Sequence, residues 1–214
     1  VLALREVTRA ARDGDRPRTL FARLSLELPR GACGLLLGEG GVGKSTLLAV
    51  AAALTLPDAG ALCWEGERIS DAREQRRAEY RRDIAALAMQ SPLLLDGLTA
   101  AENLALARRP MRPEVIDRLG VRALLDRPAE RLSEGERQRV SLARALGAST
   151  PLVLLDEPSA SLDDGAVATL AALLDAHRAA RGAALVTTHD PRLRDALRWD
   201  LTRVLRGGAL HPPS

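Results

Sequence analysis

Residues 32–54 constrain the fold more than any other stretch. An apolar run, Ala32 to Leu37, leads into Gly38-Glu39-Gly40-Gly41-Val42-Gly43-Lys44-Ser45, and an Ala/Leu-rich segment follows as far as Leu54. The run lacks polar alternation, as expected of a strand buried on both faces. Glycines allow successive N–H groups to turn inward around a phosphate, and the following helix N-terminus adds partial positive charge. Strand, G-x-x-x-x-G-K-[ST], helix is the pattern of a phosphate-binding loop. Lys44 then brings an ammonium to the β- and γ-phosphates, and Ser45 offers a hydroxyl to Mg²⁺. Gly38, Glu39, Gly40, Gly41, Val42, Gly43 and Thr46 complete the cradle. Composition sharpens this reading: of 31 Lys and Arg residues, Lys44 is the only lysine. A chain that otherwise uses arginine keeps lysine where its chemistry is needed. Asparagine also occurs once, at Asn103.

A second element carries carboxylates. Leu152-Val153-Leu154-Leu155-Asp156-Glu157 reads as a buried strand with two acids at its carboxyl end, the edge where open α/β sheets bind ligands. Asp156 suits the Mg²⁺ shell, and Glu157 suits polarisation of an attacking water.

The rest of the chain fits around these two. Leu2–Val7 and Leu24–Leu28 read as strands joined by a loop from Arg9 to Arg18 that contains Gly14 and Pro17. Ala61–Trp64, Glu67–Ile69, Ile84–Met89 and Ala184–Thr187 read as further strands, with Thr202–Leu205 the last, before Gly207 and Gly208. Helical periodicity runs from Ser91 to Ser149, broken at Pro110, Pro113 and Pro128, and returns at Gly165–Arg181. The pattern predicts an α/β fold: a mainly parallel core (residues 1–90 and 150–214), an N-terminal antiparallel β part and an inserted helical lobe (91–149).

Several classes are excluded. No apolar run approaches the roughly 18 residues of a bilayer span. Arg5 and Glu6 with no long apolar block behind them read as no signal peptide. The four aromatic residues (Phe21, Trp64, Tyr80, Trp199) are too few and scattered for base stacking, so no nucleic-acid partner is expected. Cys33 and Cys63 lack CxxC spacing and read as buried reduced thiols, hence a cytoplasmic setting. The six arginines from Arg68 to Arg82 read equally well as a solvated helix face or a partner contact. His177 reads as a solvated helix residue, and His211 as part of the tail.

Arg131-Leu132-Ser133-Glu134-Gly135-Glu136-Arg137-Gln138-Arg139 resembles the signature motif of ABC-type ATPases. Gln90 stands at the Q-loop position, Ser161-Leu162-Asp163 at the D-loop and Thr188-His189-Asp190 at the switch histidine, in the family's order. The resemblance covers essentially the whole chain. It implies a P-loop NTPase of ABC type that binds and hydrolyses ATP with Mg²⁺. Lys44, Glu157 and His189 would be catalytic, Ser45, Gln90 and Asp156 would serve the metal, and Ser133, Gly135, Gln90 and Asp163 would also serve the nucleotide. Ser133-x-x-Glu136 is also a capping box, so this motif opens a helix in any case. The resemblance further implies an ATP-driven head-to-tail homodimer, bound to integral membrane subunits on the inner face of the cell membrane. Residues 133–146, Leu95–Leu104 with Thr99, Glu102 and Asn103, and Thr188-His189-Asp190 are most similar to the lipoprotein-releasing, macrolide-export and cell-division type. The compact length is similar to the haem exporters. A soluble ABC-type ATPase of DNA repair or translation is the alternative, but those carry coiled-coil insertions or paired ATPase units that this chain lacks.

Two positions depart from the family pattern. Glu134 replaces the usual glycine. A carboxylate about 8 Å from a phosphate, at an effective dielectric of about 20, would be opposed by about 2 kcal/mol per charge pair, or by almost nothing if it turns to solvent. Ala11 stands where the family stacks an aromatic on adenine. That loss is worth roughly 1–3 kcal/mol at other base-stacking sites, and predicts weak discrimination between ATP and GTP unless Arg12 stacks instead.

Overall fold

The computed structural model describes residues 1–13 and 16–213. The described residues form two sheets and seven α-helices. β1 (Leu2–Asp13), β2 (Arg16–Leu28), β4 (Ala59–Trp64) and β5 (Glu67–Arg68) form an antiparallel sheet in the order β2-β1-β4-β5. β3 (Cys33–Leu37), β6 (Ala85–Ala88), β7 (Leu152–Asp156), β8 (Ala183–Thr187), β9 (Leu201–Arg206) and β10 (Ala209–His211) form the second sheet, ordered β10-β9-β3-β8-β7-β6. This sheet is parallel except for β10, which pairs antiparallel with β9.

The central strands β3, β7 and β8 are apolar along most of their length because both of their faces are covered. Val153 and Leu155 of β7, with Ala184 and Val186 of β8, face one core. That core is built with α5 (Glu134–Gly147), α6 (Asp164–Ala179), α3 (Ala100–Ala105) and α4 (Pro113–Arg118). Leu152, Leu154, Ala183 and Leu185 face a second core shared with α1 (Lys44–Ala51) and the antiparallel sheet. Successive side chains of a strand point to opposite faces, so one five-residue strand serves two cores. Helices α3, α4 and α5 occupy the stretch between β6 and β7. Buried Asn103 orders the segment before α3: its Oδ1 accepts from the Leu95 amide, and its Nδ2 donates to the carbonyls of Leu95, Leu98 and Thr99.

Three expectations are corrected. Most of residues 9–18 are not loop, because β1 continues to Asp13 and β2 begins at Arg16, with Ala11 paired to Arg18. Arg9, Ala10 and Ala11 are half-buried and Arg18 and Thr19 exposed, so no apolar alternation marks this end of the ribbon. Gly14 lies outside the described residues, as does the Arg12 side chain. His177 is not solvated: it is 5% exposed, and its Nε2 lies 3.2 Å from the Ala183 carbonyl. It falls on the buried stripe of Leu170, Leu173 and Leu174, and burial holds its pKa down. Gly182 admits it, since a Cβ there would lie 2.2 Å from the ring. Finally, the chain returns after Gly207-Gly208 as β10, which takes in His211.

Cys33 and Cys63 are free and buried, and burial pushes the Cys33 thiol up to about 11. Between Arg68 and Arg82, α2 (Glu74–Asp83) ties its arginines to neighbouring acids: Arg76 to Glu67, Arg77 and Arg81 to Glu74, Arg82 to Asp83.

Candidate active site

The carboxyl ends of β3, β6, β7 and β8 meet along one edge of the parallel sheet, with Asp156 in register with Thr187. A cleft of about 300 Å³ opens there, lined by Gly40, Gly41, Lys44, Ser45, Gln90, Asp156, Glu157, Ala160 and His189. The phosphate loop, the acids of β7, Gln90 and His189 are thus brought together from positions up to 149 residues apart.

The loop conformation needs its glycines at particular points. Gly38 holds φ 149°, and a Cβ there would sit 2.5 Å from the Leu205 carbonyl oxygen. Gly43 holds φ 110°, against Leu20 and Phe21, and precedes α1 without a side-chain cap. The first N–H groups of α1 therefore remain open for an anion. Gly38, Glu39, Val42, Gly43 and Thr46 complete the loop and first turn without lining the cleft.

Lys44 is 8% exposed. Its Nζ donates to the carbonyls of Gly38 at 2.5 Å and Glu39 at 3.0 Å, and lies 3.2 Å from His189 Nε2. An ammonium can only donate, so Nε2 is placed to accept from it. Glu157 Oε1 lies 3.5 Å from the same nitrogen. Glu157 is held elsewhere. Its amide donates to the Thr187 carbonyl and hydroxyl, each at 3.0 Å, and its Oε2 accepts from the His189 amide at 3.1 Å. Its φ of 45° is sparsely populated for a residue with a side chain, a strain of about 1–3 kcal/mol of the kind that clusters at active sites.

Asp156 is 2% exposed, and its Oδ1 takes the Thr187 hydroxyl at 2.7 Å. Thr187 therefore orients both acids. Sequence reading gave it no role; its signal was a hydroxyl ending an otherwise apolar strand. Ala160 was also missed, and nothing in its side chain marks it.

Three expected nucleotide residues lie away from both the cleft and the phosphate loop. Ser133 caps α5, its Oγ accepting from Glu136 N at 3.3 Å, with the reciprocal Glu136 contact at 2.8 Å. Gly135 lies in the first turn of that helix. Asp163 caps α6, accepting from Ala166 N at 2.8 Å.

A glycine loop, a lone buried lysine and a paired Asp-Glu at the ends of parallel strands define a P-loop nucleoside triphosphatase. The ABC transporter family profile matches residues 21–160. The chain is 33% identical over 202 residues to the lipoprotein-releasing system ATP-binding protein LolD 1 of Caulobacter vibrioides, covering 89% of this chain and 86% of the relative. It is 40% identical over 181 residues to the cytochrome c biogenesis ATP-binding export protein CcmA of Aromatoleum aromaticum, covering 80% and 82%. A bacterial ABC transporter cassette solved as a dimer superposes with a TM-score of 0.88 at 25% identity, covering 99% of this chain and 97% of that one. The fold is shared as well with a dimeric cassette bound to ADP and Pi, at TM-score 0.90 and 24% identity over 99% and 97% of the two chains. The chain belongs to the ABC transporter family, as an ATP-binding and ATP-hydrolysing subunit. Among the described residues no helix is long and apolar enough to cross a membrane.

Proposed function

We propose that two copies of this subunit close head to tail on ATP, each phosphate loop facing the other copy's signature helix, and that hydrolysis reopens them. The observation that carries this reading is the division of the site. Lys44, Ser45, Gln90, Asp156, Glu157 and His189 share one cleft, or border it, whereas Ser133, Gly135 and Asp163 stand apart at the starts of α5 and α6. Helix N-termini attract phosphate, and a twofold axis that brings one such end to each cleft makes two sites per dimer.

Within each site Lys44 exchanges loop carbonyls for the β- and γ-phosphates. Glu157 polarises the attacking water, and His189 supplies a hydrogen bond to that water or to the γ-phosphate. Ser45, Asp156 and Gln90 offer the hard oxygens that suit Mg²⁺, an ion that favours one or two carboxylates plus substrate phosphates. Bound with the nucleotide, Mg²⁺ neutralises phosphate charge. Residues 1–90 and 150–214 act as the nucleotide-binding core, and 91–149 as an inserted helical lobe. Integral membrane subunits meet the subunit on the inner face of the membrane along the segment after Gln90, where Leu93 and Leu95 are 62% and 55% exposed.

Complementation tests the shared site. Lys44→Arg and Ser133→Arg each inactivate the protein alone, and mixing them restores hydrolysis at the one interface that combines an intact phosphate loop with an intact signature helix. A site complete within one chain predicts no recovery.

Nucleotide selectivity is a separate expectation. Ala11 gives the adenine no ring to stack on, so ATP and GTP compete nearly equally for the wild-type chain. Ala11→Tyr tightens ATP binding about 5- to 150-fold, as base–aromatic stacking elsewhere implies. A strong wild-type preference for ATP in competition binding would refute this.

A further inference from the structure

We propose that Glu134, the residue of the signature motif that departs from the family pattern, and Arg192, which lies outside the motifs, are positioning residues that grip the loop from Ser159 to Asp164 from two sides. They thereby couple the signature helix to the switch-histidine segment. The inference rests on the shared-site reading above, in which this loop and the start of α5 face the other copy's nucleotide.

On one side, the Ser161 hydroxyl donates to Glu134 Oε1 at 2.9 Å. The two main chains also press together, since a Cβ on Gly135 would lie 2.8 Å from the Ser161 carbonyl oxygen. Glycine at 135 is therefore required by this docking, apart from any contact with nucleotide. Glu134 is exposed but not unpaired: its carboxylate is engaged by the loop.

On the other side, Arg192 spends its guanidinium on two segments at once. Nη1 donates to the Leu162 carbonyl at 3.2 Å and to Asp164 Oδ1 at 2.7 Å. Nε and Nη2 donate to the Asp190 carboxylate at 3.0 and 2.8 Å. Asp190 directly follows His189, and its carboxyl pKa is lowered, chiefly by the hydrogen bond from Arg192. Its amide donates to Thr188 Oγ1, which lies 3.4 Å from the Ser159 hydroxyl. The loop thus connects, through named hydrogen bonds, to the residue beside the switch histidine and to the first residue of the signature helix.

These contacts are solvent-accessible, with side-chain exposures of 41% at Arg192 and 91% at Asp164. Exposed ion pairs contribute little to global stability. Their expected effect is local order, and a purely structural role would appear in the melting temperature instead.

Amide exchange and steady-state kinetics on Glu134→Gly, Glu134→Gln, Arg192→Ala and a control, Arg118→Ala on the exposed face of α4, test the proposal. Without nucleotide, exchange at the Ala160 and Leu162 amides, which bond to the Glu157 and Ser159 carbonyls, quickens about tenfold in Glu134→Gly and Arg192→Ala, the size of one lost charge-assisted hydrogen bond. Glu134→Gln, which keeps an acceptor for Ser161, stays close to wild type, as does the control. In the same two variants kcat falls about five- to tenfold with the ATP KM unchanged, the signature of an interaction that acts on the transition state. Unchanged exchange in both variants overturns the proposal, as does faster exchange with unaltered turnover, or turnover that rises when Glu134 becomes glycine. Should the wild-type chain fail to pair on ATP, the shared-site reading falls with the role in turnover, and exchange still decides whether the two residues hold the loop.

Discussion

Replacing Lys44 with arginine is expected to reduce ATP turnover by at least about 100-fold, the loss seen when a preorganised charge at a reacting centre is removed. The change keeps the charge and alters its shape. Lys44 Nζ fits between the Gly38 and Glu39 carbonyls and His189 Nε2, 8% exposed. An ammonium is a compact point charge that can turn from these carbonyls to phosphate oxygens, whereas a planar guanidinium is broader and fixed in its donor directions. All 30 other cationic Lys or Arg positions in the chain are arginine, which makes this substitution a sharper test than alanine. Nucleotide titration with steady-state kinetics checks it. Near-normal turnover in Lys44→Arg would mean that the lone lysine has no special task.

Glu157→Gln is expected to lower turnover by about 10²–10⁴, the usual contribution of a positioned general base, while ATP stays bound. The amide keeps an oxygen for the His189 N–H and the main-chain bonds to Thr187, so geometry survives and proton-accepting capacity is lost. Single-turnover hydrolysis beside ATP binding separates the two effects. Comparable loss of both would point to a collapsed site instead.

What the sequence made legible follows from where physics is local. The phosphate loop announces itself because glycine, lysine and hydroxyl occur at fixed spacing within eight residues. β7 was legible because an apolar run ending in Asp156-Glu157 has few uses other than at a sheet edge. The capping box at Ser133 was legible for the same reason, and α5 starts at Glu134 as that box requires.

The misreadings arise where tertiary surroundings decide. The far end of the β1–β2 ribbon is held by backbone pairing, and its arginines and alanines carry no apolar stripe. His177 is polar by type but lies one turn along from Leu173 and Leu174, and only the missing side chain of Gly182 makes room for it. Thr187 and Arg192 act across strands and loops that no local window joins. Glu134 could be flagged from sequence as a departure, but its partner Ser161 is 27 residues away. Asn103, unique in the chain, shares with Lys44 the pattern of a rare residue kept for bonds that its commoner neighbours cannot make.

Light scattering of Glu157→Gln with and without Mg-ATP tests the central claim most directly, because slowed hydrolysis should hold the subunits in the ATP-bound state. The account predicts a monomer without nucleotide and a dimer with it, as two clefts close on two signature helices. A particle that remains monomeric with ATP bound at Lys44 would contradict the shared site.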